Sequence, residues 1–239
     1  MSTDRREFLQ RLTLSGVALG VLPASLSAHE PDRTTPDTSP LYNEWLADAQ
    51  QPPALTFDAS WTAKLTGKYK TVFDVPEING GGGVWRAGAW SNHLRDVLKV
   101  EPTDITSVVV IRHAGIPLAM NHEFWDLYDV AKASKVTHPM TGKKTRRNPV
   151  LMTVTDDQMP ASYAAIALHK QIERGTTVLG CNTAFAGMVS LVARKDKLPF
   201  PEARSKALTM LVPGVILQPN GIFGVALAQH HGCAFVAAS

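Results

Sequence analysis

The run Ser107-Val108-Val109-Val110-Ile111 constrains this chain more than any other stretch, because it offers no alternating polar face. Such a run is expected of a strand buried on both sides in a parallel sheet. Around it the pattern alternates. Strands are expected at 68–75, 107–111, 176–180, 215–217 and 233–237, and helices at 84–100, 118–131, 161–174, 184–194, 199–211 and 222–230, where apolar residues recur at helical spacing. Strands alternating with helices imply right-handed crossovers and a parallel sheet covered on both faces, which is the α/β class.

The N terminus reads differently. Asp4-Arg5-Arg6-Glu7-Phe8-Leu9-Gln10 places an arginine pair before an uncharged apolar body that runs from residue 12 to 26, with small residues Ser25 and Ser27 near its end. This is the pattern of a twin-arginine export signal, cut near residues 27–28 and read by the twin-arginine translocase. The body falls short of the roughly 20 apolar residues of a spanning helix, so only an uncleaved signal would tether the chain. The expected location is therefore the periplasm or another exported compartment. Residues 29–66, which hold Pro31, Pro36, Pro40, Pro52 and Pro53 and one short helical candidate at 41–49 around Trp45, read as an arm. What remains, 67–239, is the length of a single domain. The net charge of +3 includes +1 from the signal, and nothing in that balance calls for a nucleic-acid partner. A basic insertion at about 132–150 carries Lys132, Lys135, Lys143, Lys144, Arg146 and Arg147; it reads as a solvated loop or as a surface for an anion.

In an open parallel sheet, ligands bind outside the carboxyl ends of the strands. Gly80-Gly81-Gly82-Gly83, His113, Cys181 and Asn220-Gly221 fall at those ends. Cys181 also sits just before a helix, whose first amides favour a thiolate. Two readings stand beside each other: a reactive sulfur in a crevice, or a small buried residue closing a strand. Gly81, Gly82 and Gly83 either cradle an anion or form a turn, and the dinucleotide pattern GxGxxG is not met, since Trp85 and Arg86 stand where its last glycine would fall. His113 is either a site group or a turn histidine. No spacing of cysteines and histidines spells a metal motif, although His122, Glu123 and His138 are potential partners of Cys181. Cys181 and Cys233 are the only cysteines, and in a parallel sheet they belong to opposite edges, too far apart for a disulfide.

From Ser107 onward the chain resembles the DsrE/DsrF-like family of sulfur metabolism. The residues that carry the likeness are His113-Ala114-Gly115-Ile116-Pro117 after a buried strand, Cys181-Asn182-Thr183, Leu211-Val212-Pro213-Gly214-Val215, and Pro219-Asn220-Gly221-Ile222 leading to Gln229-His230-His231-Gly232-Cys233. The resemblance implies a flavodoxin-like three-layer fold with a five-stranded, mainly parallel sheet, assembled as trimers or multiples of trimers. It places Cys181 where sulfur-transferring members carry persulfide, with a thiol or persulfide partner. The export signal, the arm and the insertion depart from the family pattern. On this reading Cys181 and His113 are the catalytic pair, and Gly81, Gly82, Gly83, Asn182, Thr183, Asn220 and Gly221 the ligand-binding set. The alternatives are a binding module for a metal, haem or small ligand loaded before export, and a non-catalytic oligomeric protein.

Overall fold

The computed structural model describes residues 56–238. The export segment, the helical candidate at 41–49 and the arm as far as residue 55 lie outside the described residues. The strands are β1 Tyr69–Val75, β2 Ile105–Ile111, β3 Thr177–Cys181, β4 Val215–Gln218 and β5 Ala234–Ala237. Their order is β4-β3-β2-β1-β5 and every pairing is parallel, so the chain has the flavodoxin-like three-layer α/β fold. The helices are α1 Gly82–Leu98, α2 His122–Leu127, α3 Val130–Ala133, α4 Val154–Asp157, α5 Ala161–Ala164, α6 Leu168–Glu173, α7 Asn182–Asp196, α8 Phe200–Thr209 and α9 Gly221–His230. No described helix is long and apolar enough to cross a membrane.

The two faces of the sheet are covered unequally, and the strand order explains why. From β1 to β4 each crossover steps in one direction, and right-handed connections then lie on one side; the step from β4 back past β1 to β5 must cross on the other. The first face packs Phe73, Val109, Ile111 and Val178 against α1, Trp125 of α2 and Phe185, Val189 and Val192 of α7. The second packs Val72, Val108, Val110 and Leu179 against Ala228 of α9 and against Trp61, which sits on a 3-10 turn at Ser60–Lys64. Val108 to Ile111 are fully buried, as a strand covered on both sides requires.

Two long helices expected from the sequence are broken. The stretch 118–131 begins in a 3-10 turn, His113–Ala119, and continues as α2, capped by the Asn121 side chain accepting from the Phe124 amide, and as α3 after a left-handed Asp129. The stretch 161–174 divides into α5 and α6, because Ala167 is extended. In both, the break is set by one residue's backbone conformation, Asp129 or Ala167, which the spacing of apolar residues does not reveal.

The basic insertion is pinned rather than loose. Thr137 bridges Lys144, the His138 Nδ1 accepts from the Met140 and Thr141 amides, and its Nε2 meets the Asp157 carbonyl at 2.8 Å. Arg146 pairs with Asp126 and Asp129, and Arg147 with the buried Asp157.

His122 holds the end of this segment. Its Nδ1 accepts from the Asn148 amide at 3.0 Å and its Nε2 faces the Leu151 carbonyl at 3.3 Å, a geometry that needs the neutral ring with the proton on Nε2. Burial first, then the charge of Arg147, lowers its pKa. The unfolded chain therefore takes up the proton first as pH falls: this contribution to stability is complete above about pH 6.5 and declines below it. His169 shifts the same way, again mainly through burial. Urea unfolding at about pH 7.5 and 5.5 is expected to show lower stability at the acid value, with a smaller difference in His122→Asn. Equal pH dependence in variant and parent would remove His122 from this role.

Candidate functional site

Strand register builds a row of polar side chains at the carboxyl edge of the sheet. Ile111 pairs with Gly180 and Cys181 with Gln218, so Arg112, extended just beyond β2, lies level with Cys181 and Gln218 on three adjacent strands. Residues level in a parallel ladder point to the same face. By alternation from Val110, Leu179 and Ile216 that face is the one covered by α9, and Asp74 joins it from β1 by alternation from Val72.

The Arg112 fork is bidentate on Asp74, with Nε donating to Oδ1 at 2.7 Å and Nη2 to Oδ2 at 2.8 Å. The Asp74 side chain is only 9% exposed and that of Arg112 28%, so the pair sits largely out of water. The hydrogen bonds to Asp74 raise the Arg112 pKa against the opposing effect of burial, and Cys181 is near enough for its charge to contribute. Cys181 is the last residue of β3 and the N-cap of α7: the Ala184 amide donates to its Sγ at 3.4 Å. Cys181, 6% exposed, thus holds its sulfur at a helix N terminus, with Arg112 level with it on the neighbouring strand. Gln218 donates through Nε2 to the Asp58 carbonyl at 2.8 Å and to the Leu217 carbonyl at 3.1 Å, leaving its buried Oε1 without a partner among the described residues.

The other expected residues divide into those near this row and those away from it. Thr183 Oγ1 donates to the Pro219 carbonyl at 3.1 Å, which ties the start of α7 to the β4–α9 turn. Asn182 Oδ1 accepts from Arg204 at 2.8 Å, and Asn220 caps α9 by accepting from the Phe223 amide at 2.8 Å. Gly221 lies directly against Arg112: a Cβ there would stand 2.4 Å from the Arg112 Cβ. His113 follows Arg112 at the rim, exposed, with a positive φ of 48° that is unusual for a residue with a side chain. Gly81, Gly82 and Gly83 stand apart at the end of β1, with β2 between them and Cys181. Gly81 is the left-handed cap of α1 at φ 92°, and a Cβ on Gly83 would meet Val75 at 2.9 Å and the Ala238 carbonyl at 3.0 Å. Arg86, which the sequence leaves without an obvious anion, donates to that same Ala238 carbonyl.

Asp74, Arg112 and Gln218 escape a reading of the sequence. Only the placement of Arg112 immediately before His113, at a strand end, hints at it. Among the described residues no group of three or more histidine, cysteine or acidic side chains comes together to hold a metal ion. Cys181 and Cys233 are both free and buried, and β2 and β1 separate their strands. Three strand spacings of about 4.8 Å exceed the roughly 7 Å between Cα atoms that a disulfide tolerates. Burial pushes the Cys233 thiol up. Comparison with family models, with curated proteins and with solved structures finds no match to this chain.

Proposed function

We propose that this is an exported sulfur-handling protein of the DsrE/DsrF kind, with Cys181 as the carrier. The observation that supports it best is the position of Cys181 at the head of α7, with its sulfur accepting from the Ala184 amide and the Arg112 guanidinium nearby. In the proposed step, the Cys181 thiolate attacks the outer sulfur of a donor persulfide. The donor S–S bond breaks, the donor leaves as a thiolate, and Cys181 becomes the persulfide anion. An acceptor thiolate then takes the outer sulfur and Cys181 leaves as a thiolate, so the cycle has no net redox change and needs no further reactant. The Ala184 amide and Arg112 stabilise negative sulfur at the start and end of each transfer, and His113 at the rim meets the incoming anion. Burial shields the persulfide from stray thiols.

The working unit in this reading is a homo-oligomer, a trimer or a multiple of one, reached by way of the twin-arginine translocase. Its support is an apolar surface left open on the thinly covered face. Ile222 and Phe223 of α9 are 71% and 41% exposed and Phe235 of the edge strand β5 is 47% exposed, more apolar edge than a lone subunit usually presents.

Mass spectrometry of protein recovered from the periplasmic fraction tests all parts together. After exposure to a low-molecular-weight persulfide, the denatured chain is expected to gain about 32 Da, one sulfur atom, at Cys181. The gain should vanish in Cys181→Ser, and the native mass should be that of a trimer or its multiple. Addition at Cys233 alone overturns the carrier assignment, a monomeric mass the assembly, and recovery only from the cytoplasm the export route.

A further inference from the structure

At the opposite, amino edge of the sheet, a cavity of about 350 Å³ opens between α1 and α6, over the start of β2 and β3. Its size lies within the range of small-molecule sites, about 300–1,000 Å³. Two side chains lining it are deeply buried and, among the described residues, carry a polar atom without a partner: Ser107, 4% exposed, at its Oγ, and Gln171, 1% exposed, at its Oε1. The orientation of Gln171 follows from its bonds. Its Nε2 donates to the Val84 carbonyl at 2.9 Å and to the Ile166 carbonyl at 2.7 Å, so a flipped amide would set oxygen against two oxygens. The open atom is therefore an acceptor, and it calls for a donor. Buried polar atoms left in this state cost free energy that a ligand can recover.

The cavity's charged lining is two arginines, Arg95 of α1 and Arg174 just beyond α6, and among the described residues neither makes an ion pair. Arg174 is held in place by donating through Nε and Nη2 to the carbonyls of Lys170 and Ala165 at 3.2 and 2.7 Å. Burial, and after it the charge of Arg95, lowers the Arg174 pKa, so the two cations feel each other. Paired guanidinium groups suit an oxyanion, and Glu173, the carboxylate whose charge also reaches Arg174, is engaged by Lys170.

We propose that this cavity binds a small molecule carrying an oxyanion and an O–H or N–H donor, with the oxyanion on Arg95 and Arg174 and the donor reaching toward Gln171 and Ser107. A phosphate monoester and a hydroxy or amino carboxylate share this chemistry. The site is separate from Cys181 and independent of the sulfur reading.

Calorimetric titration of the full chain with two matched pairs of probes tests it: hydrogen phosphate against sulfate, and glycolate against acetate. The hydroxyl-bearing member of one pair is expected to bind saturably in the millimolar range or tighter, and to exceed its partner by about fivefold, the worth of one hydrogen bond. The pair that responds tells phosphate from carboxylate. Arg95→Gln combined with Arg174→Gln should abolish binding. Ser107→Ala should weaken it severalfold while leaving the ligand-free Tm unchanged or higher, because that hydroxyl has no partner to lose. Cys181→Ser should bind as the parent does. No saturable binding of any probe, equal binding within both pairs, or binding that survives loss of both arginines overturns the proposal.

Discussion

Replacing Arg112 with methionine is expected to lower the unfolding free energy by about 3 kcal/mol, because it leaves a buried carboxylate without its partner. Asp74 is the reason: its side chain is 9% exposed and both its oxygens accept from Arg112. Removing both charges should do less harm than removing one, since well-packed apolar residues can replace a buried pair at little cost. Asp74→Leu with Arg112→Met should therefore recover most of the loss, a coupling that urea unfolding of the two single variants and the double variant measures directly. Arg112→Lys should fall between, because a lysine keeps the charge but not the two-point fork. A loss below about 1 kcal/mol for Arg112→Met would class the pair with exposed salt bridges and remove its structural importance. The same variants bear on the proposed chemistry, since Arg112 lies level with Cys181 on the neighbouring strand: sulfur loading should slow in Arg112→Met and largely survive in Arg112→Lys.

Gly221→Ala is expected to cost about 2 kcal/mol through overpacking alone. The added methyl would stand 2.4 Å from the Arg112 Cβ, 2.6 Å from its Cδ and 3.0 Å from its Cγ. The Cβ is anchored to the sheet and cannot swing away, so the N terminus of α9 must lift. Lifting it strains the Asn220 cap and disturbs the stem of the Arg112 fork in one movement. Backbone strain plays no part, because Gly221 is absent from the left-handed positions of this chain. Gly187→Ala in α7 is the matched control: nothing lies within 4 Å of a Cβ there, so the change should be neutral or stabilising by up to about 1 kcal/mol. Thermal or urea unfolding of the two variants side by side checks the contrast, and equal stabilities would show that α9 adjusts freely over the sheet.

The fold class was legible along the chain, because the signals that specify it are local. An unbroken β-branched run at Val108 to Ile111, helical spacing after each strand, and prolines and glycines at the ends identify five strands and place Cys181 at the carboxyl end of one of them. The separation of the two cysteines follows from the same alternation. What surrounds Cys181 was not legible there, because it depends on how the strands pair. Asp74 and Arg112 lie 38 residues apart, and they meet because β1 and β2 are neighbours in a particular register, which no spacing along the chain encodes. Gln218 joins them by the same route through β3 and β4. The glycines at 81–83 read alike whether they cradle an anion or admit Val150, Val75 and Ala238 at close range, and only the packed neighbours distinguish the two. The cavity under Arg95 and Arg174 was likewise invisible, since Ser107 in an apolar strand and Gln171 on a helix become a pair only when α6 is laid across the amino edge of the sheet. Local pattern selects the elements; register and crossover direction select which of their side chains face one another.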